Sequence, residues 1–298
     1  MNFNIIKKTK LWFSLSLILI IVGWGGLVFN SVYRGSPMNF GIDFTGGTLI
    51  NLHFTSEEIT QNNPVDISKV RKVLNSFNLG EAVIQRSGYQ DVFIRTLPLE
   101  TEMRQKIVDD LNESCGGVEL LEVDTVGPVI GAELRSQAFW ALILASIGIL
   151  IYVSFRFEFI YAVAALVALI HDAFITIGIM GLLWRNIDIS FVAAILTILG
   201  YSINDTIVIF DRIRENMKKP GARKIPFAEV VNKSIWETMA RSINTVLTVL
   251  VIVLSLLFFG GATLREFCLT LLIGFIAGTY SSVFIASPML VALNKKEK

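Results

Sequence analysis

Six long apolar runs restrict this chain to a membrane-embedded fold. At about 1.5 Å per residue, each run is long enough to cross the hydrocarbon layer of a bilayer as a helix. Of the 298 residues, 53% are hydrophobic and only 17% are charged, which is not the composition of a soluble domain. The predicted spans are Leu11–Phe29, Ala138–Phe155, Phe159–Trp184, Ile187–Phe210, Ile243–Phe259 and Phe267–Leu293.

Basic residues predict the orientation of these spans. They cluster before the first span, after the fourth span and after the sixth span. With six spans, all three clusters lie on one side of the membrane, and the positive-inside rule makes that side cytoplasmic. Both termini are then cytoplasmic, and the long segment after the first span is extracytoplasmic. The clustered residues are Lys7, Lys8, Lys10, Arg212, Arg214, Lys218, Lys219, Arg223, Lys224, Lys233, Lys295, Lys296 and Lys298.

The spans divide the chain into three parts. Residues 1–35 are the cytoplasmic N-terminus with the first span, and residues 36–135 form an extracytoplasmic domain. Residues 136–298 form a five-span membrane domain with a cytoplasmic loop at 211–240 and a cytoplasmic C-terminus. The fold class is therefore an all-α bundle of six transmembrane helices, with one α+β domain inserted after the first helix.

The extracytoplasmic domain has a strand and helix pattern typical of a ferredoxin-like fold, in the order βαββαβ. It contains no phosphate loop, no histidine cluster and no nucleophile beside a base. We therefore predict a binding or lever module without catalytic residues, and a chain that is not an enzyme and needs no cofactor. The predicted elements are strand Gly47–Phe54, helix Val65–Phe77, strand Ala82–Gln85, strand Asp91–Arg95, helix Leu99–Ser114 opened by Pro98, and strand Val118–Val126.

A carboxylate inside the fourth span, Asp205, is the main candidate functional residue. An ionisable side chain at that depth costs several kcal/mol unless it has a partner or a wet cavity. Arg241, near the cytoplasmic end of the fifth span, lies at a similar depth and could pair with it, which is the minimum apparatus for proton coupling. Polar residues share one helical face with each of them: Ser202 and Thr206, with Asn204 adjacent, on the fourth span, and Asn244, Thr245 and Thr248 on the fifth.

Structural interpretations of these residues stay open. Arg241 can be an interfacial anchor whose charged end reaches the headgroups, and Asp205 can be a purely structural partner of polar neighbours. Stripes of Ser and Thr in a span more often mediate helix packing than form a pathway.

Two further patterns lie in the third and sixth spans. His171 and Asp172 are adjacent in the middle of the third span, where they are either a satisfied core pair or part of a proton route. The only other histidine, His53, is in the exterior domain, so no metal site is predicted. The sixth span carries Gly274 and Gly278 at the spacing of a close helix contact.

A glycine-rich motif follows the first span and includes Gly41, Asp43, Gly46 and Gly47. Paired glycines permit unusual backbone dihedrals, so we interpret this segment as a hinge between the membrane and the exterior domain. As a phosphate loop the motif is incomplete, because the Lys-Ser/Thr ending is missing.

Three motifs together resemble the SecF branch of the SecD/SecF family, within the resistance-nodulation-division superfamily. They are Gly41–Gly47, Ala168–Asp172 and, most specifically, Gly200–Asn216. The resemblance runs through nearly the whole chain, including the six spans and the exterior domain after the first.

The resemblance implies a multi-pass subunit of the bacterial cytoplasmic membrane that pairs with a separate SecD chain. Its implied partners are SecD, the SecYEG channel, SecA, YajC, the translocating preprotein and membrane lipid, without nucleic acid. The implied activity is proton-driven assistance of protein translocation. In that family a charged residue in the fourth span and an arginine at the start of the fifth form the proton path, and Asp205 and Arg241 match those positions.

Two other classes of function remain alternatives. One is a proton-coupled small-molecule antiporter subunit of the same superfamily, although this chain has a single exterior domain where efflux pumps carry two large ones. The other is a structural scaffold of the translocase that conducts no protons.

Overall fold

The structure is a computed structural model, and it describes residues 3–294 of the chain. These residues form two compact units. Residues 40–138 make one unit, against a predicted exterior domain of 36–135, and the described residues before and after them make the other. We call them the exterior unit and the membrane unit.

Ten α-helices and six strands occur in the described residues. The helices are α1 Thr9–Arg34, α2 Ile42–Thr45, α3 Ile67–Ser76, α4 Thr101–Cys115, α5 Pro128–Arg156, α6 Phe159–Leu182, α7 Ile189–Lys218, α8 Phe227–Phe259, α9 Gly261–Ser281 and α10 Ser287–Asn294. The strands are β1 Asn39–Phe40, β2 Gly47–Phe54, β3 Val83–Ser87, β4 Asp91–Thr96, β5 Val118–Val126 and β6 Asn186–Ile187. A five-residue π-helix, Ser282–Ala286, joins α9 to α10, and short 3₁₀ turns lie at Ile6–Lys8 and Ala222–Lys224.

All six predicted spans are helices long and apolar enough to cross a membrane, which confirms that prediction. Five of these helices extend beyond the predicted apolar runs because residues at their ends continue the helix, whereas the third, predicted to end at Trp184, ends at Leu182. The helix predicted to begin near Phe227 does run without a break into the fifth span, as α8.

The interior of the membrane unit is built from α6, α7 and the α9–α10 segment, which are the most buried spans. The spans formed by α1, α5 and α8 leave most of their apolar side chains exposed. The buried polar side chains of these three helices, including Asp172, Ser202 and Ser281, are therefore removed from the outer surface of the unit, and they form the centre of the candidate site.

Small residues allow the central helices to approach closely. A Cβ atom added at Gly278 on α9 would lie 3.0 Å from the Cβ of Ser202 on α7, and one added at Gly274 would overlap Ile198. The predicted close contact at these glycines is confirmed. A similar contact joins α1 to α6, where a Cβ added at Gly23 would lie 2.9 Å from the Cα of Gly178.

The exterior unit is a four-stranded antiparallel sheet in the order β3-β4-β2-β5, whose core includes α3 and α4. Its largest buried side chains come from both layers: Ile50, Leu52, Phe54, Leu74, Ile94, Ile107 and Leu111. The prediction that Pro98 opens the second helix is wrong. The helix begins at Thr101 with Glu100 as its N-cap, because the backbone of Glu100 is still extended.

Candidate functional site

A fully buried carboxylate, Asp172, lies where α6, α7 and α9 meet. Its Oδ2 accepts hydrogen bonds from the hydroxyls of Ser202 on α7 at 2.6 Å and Ser281 on α9 at 2.8 Å. Its Oδ1 lies 3.0 Å from Nδ1 of His171. Each carboxylate oxygen therefore has a partner, and the two serine bonds connect Asp172 to both neighbouring central helices.

His171 is 8% exposed, and its two ring nitrogens have different surroundings. Nδ1 contacts Asp172, whereas Nε2 is buried and has no hydrogen-bond partner among the described residues. The ring stacks on Tyr280 of α9 with 5.9 Å between centroids. Tyr280 donates its hydroxyl proton to the carbonyl of Trp12 on α1, which positions the ring against His171.

A second pair of hydroxyls lies next to the Asp172 cluster. Thr206 Oγ1 on α7 is 2.8 Å from Ser282 Oγ, at the first residue of the π-helix. Further along, Ser287 donates to the carbonyl of Ser282 at 3.0 Å. The π-helix widens the backbone at this point, a feature found often at functional sites.

Asp205 lies between α7 and α8 and is only partly buried. Its Oδ1 accepts a hydrogen bond from Ser242 Oγ on α8 at 2.6 Å. Its Oδ2 is buried and has no hydrogen-bond partner among the described residues. One of the two oxygens of this carboxylate is therefore hydrogen-bonded, and the other is not. The side chain of the neighbouring Asn204 is exposed and does not supply the second partner.

Arg241 does not form the pair with Asp205 that the sequence analysis considered. Within residues 3–294, its guanidinium makes no hydrogen bond or ion pair, and Ser242 contacts Asp205 in its place. Consecutive residues of a helix point about 100° apart, so Arg241 does not share the direction in which Ser242 reaches Asp205, and its side chain is exposed.

An exposed polar stripe continues from Arg241 along α8, through Asn244, Thr245 and Thr248. Thr245 and Thr248 donate to carbonyls of their own helix. Polar side chains on the outer surface of a spanning helix are costly in lipid. We therefore expect a protein or water partner to cover this stripe.

The C-terminal end of α7 and the N-terminal part of α8 are joined by a polar network. Arg212 Nε donates to Glu237 at 2.6 Å, and Asn216 donates to Glu237 at 2.7 Å. Asn216 also donates to Ser234 at 2.9 Å. These bonds hold α7 and α8 together beyond Asp205 and Ser242.

The glycine motif of the exterior unit is tightly packed. Gly46 and Gly47 have φ values of 74° and 125°, which favour glycine. A Cβ atom at Gly47 would overlap the carbonyl oxygen of Thr96, and one at Gly46 would lie 3.0 Å from Pro128 at the start of α5. The same contact limits α5, because a Cβ atom at Gly131 would lie 3.1 Å from the backbone nitrogen of Gly46.

The structure brings together His171, Asp172, Ser202 and Thr206, and it places Asp205 with a partner from α8. The exposed residues Asn204, Arg241, Asn244, Thr245 and Thr248 are outside these contacts. Sequence reasoning missed Ser242, Ser281 and Ser282. Their spacing along the chain gives no signal of which serine faces a carboxylate. Among residues 3–294, no group of three or more His, Cys, Asp or Glu side chains is arranged to hold a metal ion.

Two family models match the chain. The model described as protein export membrane protein SecD/SecF, C-terminal, matches residues 107–296. The model described as the SecD/SecF GG motif matches residues 35–58, which include Gly46 and Gly47.

Curated relatives match along the full chain. The protein translocase subunit SecF of Sebaldella termitidis is 41% identical over 303 residues, covering 100% of this chain and 94% of the relative. That of Pseudomonas aeruginosa is 40% identical over 285 residues, covering 95% of this chain and 88% of the relative.

Solved structures of SecDF have the same fold over this chain. The crystal structure of SecDF from Thermus thermophilus, described as a translocon-associated membrane protein, is 37% identical with a TM-score of 0.87. A SecDF crystal structure in a super-membrane-facing form is 37% identical with a TM-score of 0.70. The two matches cover 99% and 100% of this chain but only 39% of each solved chain.

Proposed function

This chain belongs to the SecF family of protein translocase subunits, and on that premise we propose that it uses the proton-motive force to assist protein translocation. It does so as a non-enzymatic membrane subunit. Asp205 carries the proton, and Arg241 carries the compensating positive charge.

The observation that carries this proposal is the half-satisfied carboxylate of Asp205. One oxygen is hydrogen-bonded to Ser242, and the other is buried without a partner among the described residues. A buried oxygen in that state costs free energy that a proton or a cation relieves. Asp205 therefore has two stable arrangements, neutral with Ser242 or ionised beside a cation.

Arg241 is the cation closest in sequence to Ser242, and its side chain is exposed in this single chain. Rotation of its long side chain towards Asp205 would neutralise the ionised carboxylate, and protonation would release it. Alternation between these two pairings changes the packing of α7 against α8.

SecD is the partner that we propose for the polar stripe of α8. Arg241, Asn244, Thr245 and Thr248 face outward from a spanning helix, where a second set of spans would cover them. The length comparison supports this arrangement, since the chain corresponds to 39% of a solved SecDF chain. SecYEG, SecA, YajC and the translocating preprotein complete the proposed assembly.

The proposed orientation follows the basic clusters, with both termini in the bacterial cytoplasm and the exterior unit on the other side. The strand order β3-β4-β2-β5, combined with the chain order βαββαβ, supports a ferredoxin-like class for this domain, inserted after the first span. The motif at Gly41, Asp43, Gly46 and Gly47 transmits movement of the membrane helices to the domain, which captures or releases the emerging chain.

The test is preprotein export by this protein with its SecD partner in vesicles, with and without a proton gradient. Asp205→Asn keeps the side-chain volume and can still accept from Ser242, but it cannot ionise. We expect this variant to assemble with SecD and to lose the gradient-dependent stimulation of export.

Asp211→Asn is the matched control, because Asp211 lies on the same helix but is exposed and paired with Arg156 at 3.3 Å. It should keep the stimulation. If Asp205→Asn exports like the wild type with a gradient, Asp205 is structural, and the scaffold function replaces the proposed one.

A further inference from the structure

We propose that His171 and Asp172 form a second proton-binding site, in which the proton is held on the imidazole and its presence is passed to the Asp205 region by Ser281 at the end of α9 and Ser282 at the start of the π-helix. This inference rests on the proposed function, because it adds a second site to the same proton-coupled process.

The hydrogen bonds of Asp172 determine which nitrogen of His171 is available. Oδ2 already accepts from Ser202 and Ser281, and Oδ1 faces Nδ1 of the imidazole. An ionised carboxylate needs a donor at Nδ1, so Nδ1 carries the hydrogen and Nε2 carries a lone pair. Nε2 is the buried atom without a partner among the described residues, and it is a base positioned to accept a proton.

Charge balance favours protonation of Nε2 of His171. Asp172 is fully buried, and its only ion-pair partner among the described residues is His171. The other titratable groups at this junction are Tyr280, stacked on the imidazole, and Asp205, further along α7. An isolated negative charge in the membrane interior is costly. Uptake of one proton from hydronium breaks one O–H bond, forms one N–H bond at Nε2, and converts a negative pair into a neutral one.

Ser281 and Ser282 connect this site to α7. The Ser281 hydroxyl has one proton and two acceptors, Asp172 Oδ2 at 2.8 Å and the carbonyl of Gly278 at 3.1 Å. A full negative charge on Asp172 favours the first acceptor, and a charge balanced by imidazolium favours it less. Ser282, the next residue, is 2.8 Å from Thr206, which follows Asp205 in the chain.

The backbone that follows Ser281 is also suited to movement. The π-helix begins at Ser282, and the carbonyl of Ser282 accepts from Ser287. A change in the bonding of Ser281 therefore acts directly on the first residue of a π-helix, a feature found often at functional sites. Two clusters that are separate in sequence are thus joined through Ser281, the last residue of α9, and Ser282, the first residue of the π-helix.

Spectroscopy of His171 provides a direct test. The chain has two histidines, so His53→Gln leaves His171 as the single imidazole. In ¹⁵N-histidine-labelled protein of this background, reconstituted with SecD, we expect Nδ1 protonated and Nε2 unprotonated at neutral pH. Acidification should yield the doubly protonated ring, and Asp172→Asn should abolish the preference for the Nδ1–H form.

Export assays provide the functional arm. His171→Asn places an amide donor near the position of Nδ1 but has no base, and Asp172→Asn keeps the acceptor for the serines but has no charge. Both variants should lose the gradient-dependent stimulation of export. Thr176→Val is the matched control, because Thr176 is equally buried on α6 and donates only to the backbone carbonyl of Asp172.

The outcomes separate this inference from the proposed function. If Asp205→Asn abolishes stimulation while both His171→Asn and Asp172→Asn retain it, the second site is wrong and the proposed function stands. An imidazole that stays singly protonated on Nε2, or that is unaffected by Asp172→Asn, also overturns the inference. If all three variants keep the stimulation, the proposed function itself fails.

Discussion

Asp172 and Asp205 are hydrogen-bonded to different extents, and this difference assigns them different roles. Asp172 has partners on both oxygens, from three side chains. Asp205 has one, from Ser242. Charge-assisted hydrogen bonds contribute about 1.5–3 kcal/mol each, so Asp172 is held in place far more firmly than Asp205. Movement of a carboxylate between partners is expected at Asp205.

Outside the membrane, Asp66 illustrates how a single carboxylate stabilises a helix. It is the N-cap of α3 and accepts a hydrogen bond from the backbone nitrogen of Ser68 at 2.8 Å. That bond lowers the pKa of Asp66 below its usual value. Because the lowered pKa belongs to the folded state, the stabilisation is present at neutral pH and is lost as the pH falls below about 4.

We therefore expect Asp66→Ala to accelerate hydrogen exchange of the α3 amides in the full-length protein at pH 7, whereas Asp66→Asn, which can still cap the helix, changes it little. As the pH falls below about 4, the difference between the wild type and Asp66→Ala should shrink. Equal exchange in the wild type and Asp66→Ala at pH 7 would contradict the capping role.

At the scale of elements, the close approach of α7 and α9 keeps the polar cluster assembled. Gly278 faces Ser202, the residue that donates to Asp172. Larger side chains at this position would push the two helices apart and lengthen that hydrogen bond. The helix contact and the polar contact are thus parts of one arrangement.

Gly278→Ala should destabilise the membrane unit by about 1–3 kcal/mol, since the added methyl group meets Ser202 in a packed interface. Gly200→Ala is the matched control, because a Cβ at Gly200 on α7 has nothing within 4 Å. It should leave stability unchanged or raise it by up to about 1 kcal/mol. Thermal unfolding in detergent measures both, and equal melting temperatures for the two variants would refute the packing argument.

Much of the fold was predictable because hydrophobic periodicity differs between spans and strands. Strands β2 and β5 lie at the predicted residues, and the six spans are helices as expected. Helix ends were less predictable, since Lys218 and Arg34 continue helices that the apolar pattern ends earlier. Pro98 suits the first turn of a helix by its chemistry, but Glu100 is still extended and the helix begins only at Thr101.

Predictability of the candidate site depended on residue type. Asp172 and Asp205 stand out because a carboxylate in an apolar run requires an explanation. The hydroxyls of Ser242, Ser281 and Ser282 do not stand out, since serine in a span commonly bonds to its own helix. Which serine faces a carboxylate depends on helix rotation and contact distance, and neither is encoded in spacing along one helix.

At the scale of the whole molecule, the chain carries one cysteine in each compact unit. Cys115 is half-buried at the end of α4 in the exterior unit, and Cys268 is buried in the membrane unit. Burial raises the pKa of the Cys115 thiol, so little of it is the reactive thiolate at neutral pH.

In intact cells, a membrane-impermeant maleimide should label Cys115 slowly at pH 7 and faster at pH 9, while Cys268 stays unlabelled until the protein is denatured. Cys115→Ser supplies the control for background labelling. Labelling of Cys115 only in inside-out vesicles would reverse the proposed orientation.

The two acceptors of the Ser281 hydroxyl also have a kinetic consequence. Movement of the hydroxyl hydrogen between its two acceptors needs only rotation about the Cβ–Oγ bond, whereas rearrangements of whole helices take microseconds to milliseconds. The Ser281 proton is therefore always equilibrated between Asp172 and the Gly278 carbonyl before any helix moves. The Ser281 hydrogen therefore does not limit the rate of a working cycle. That rate is set by the slower movements of the helices that Ser281 joins.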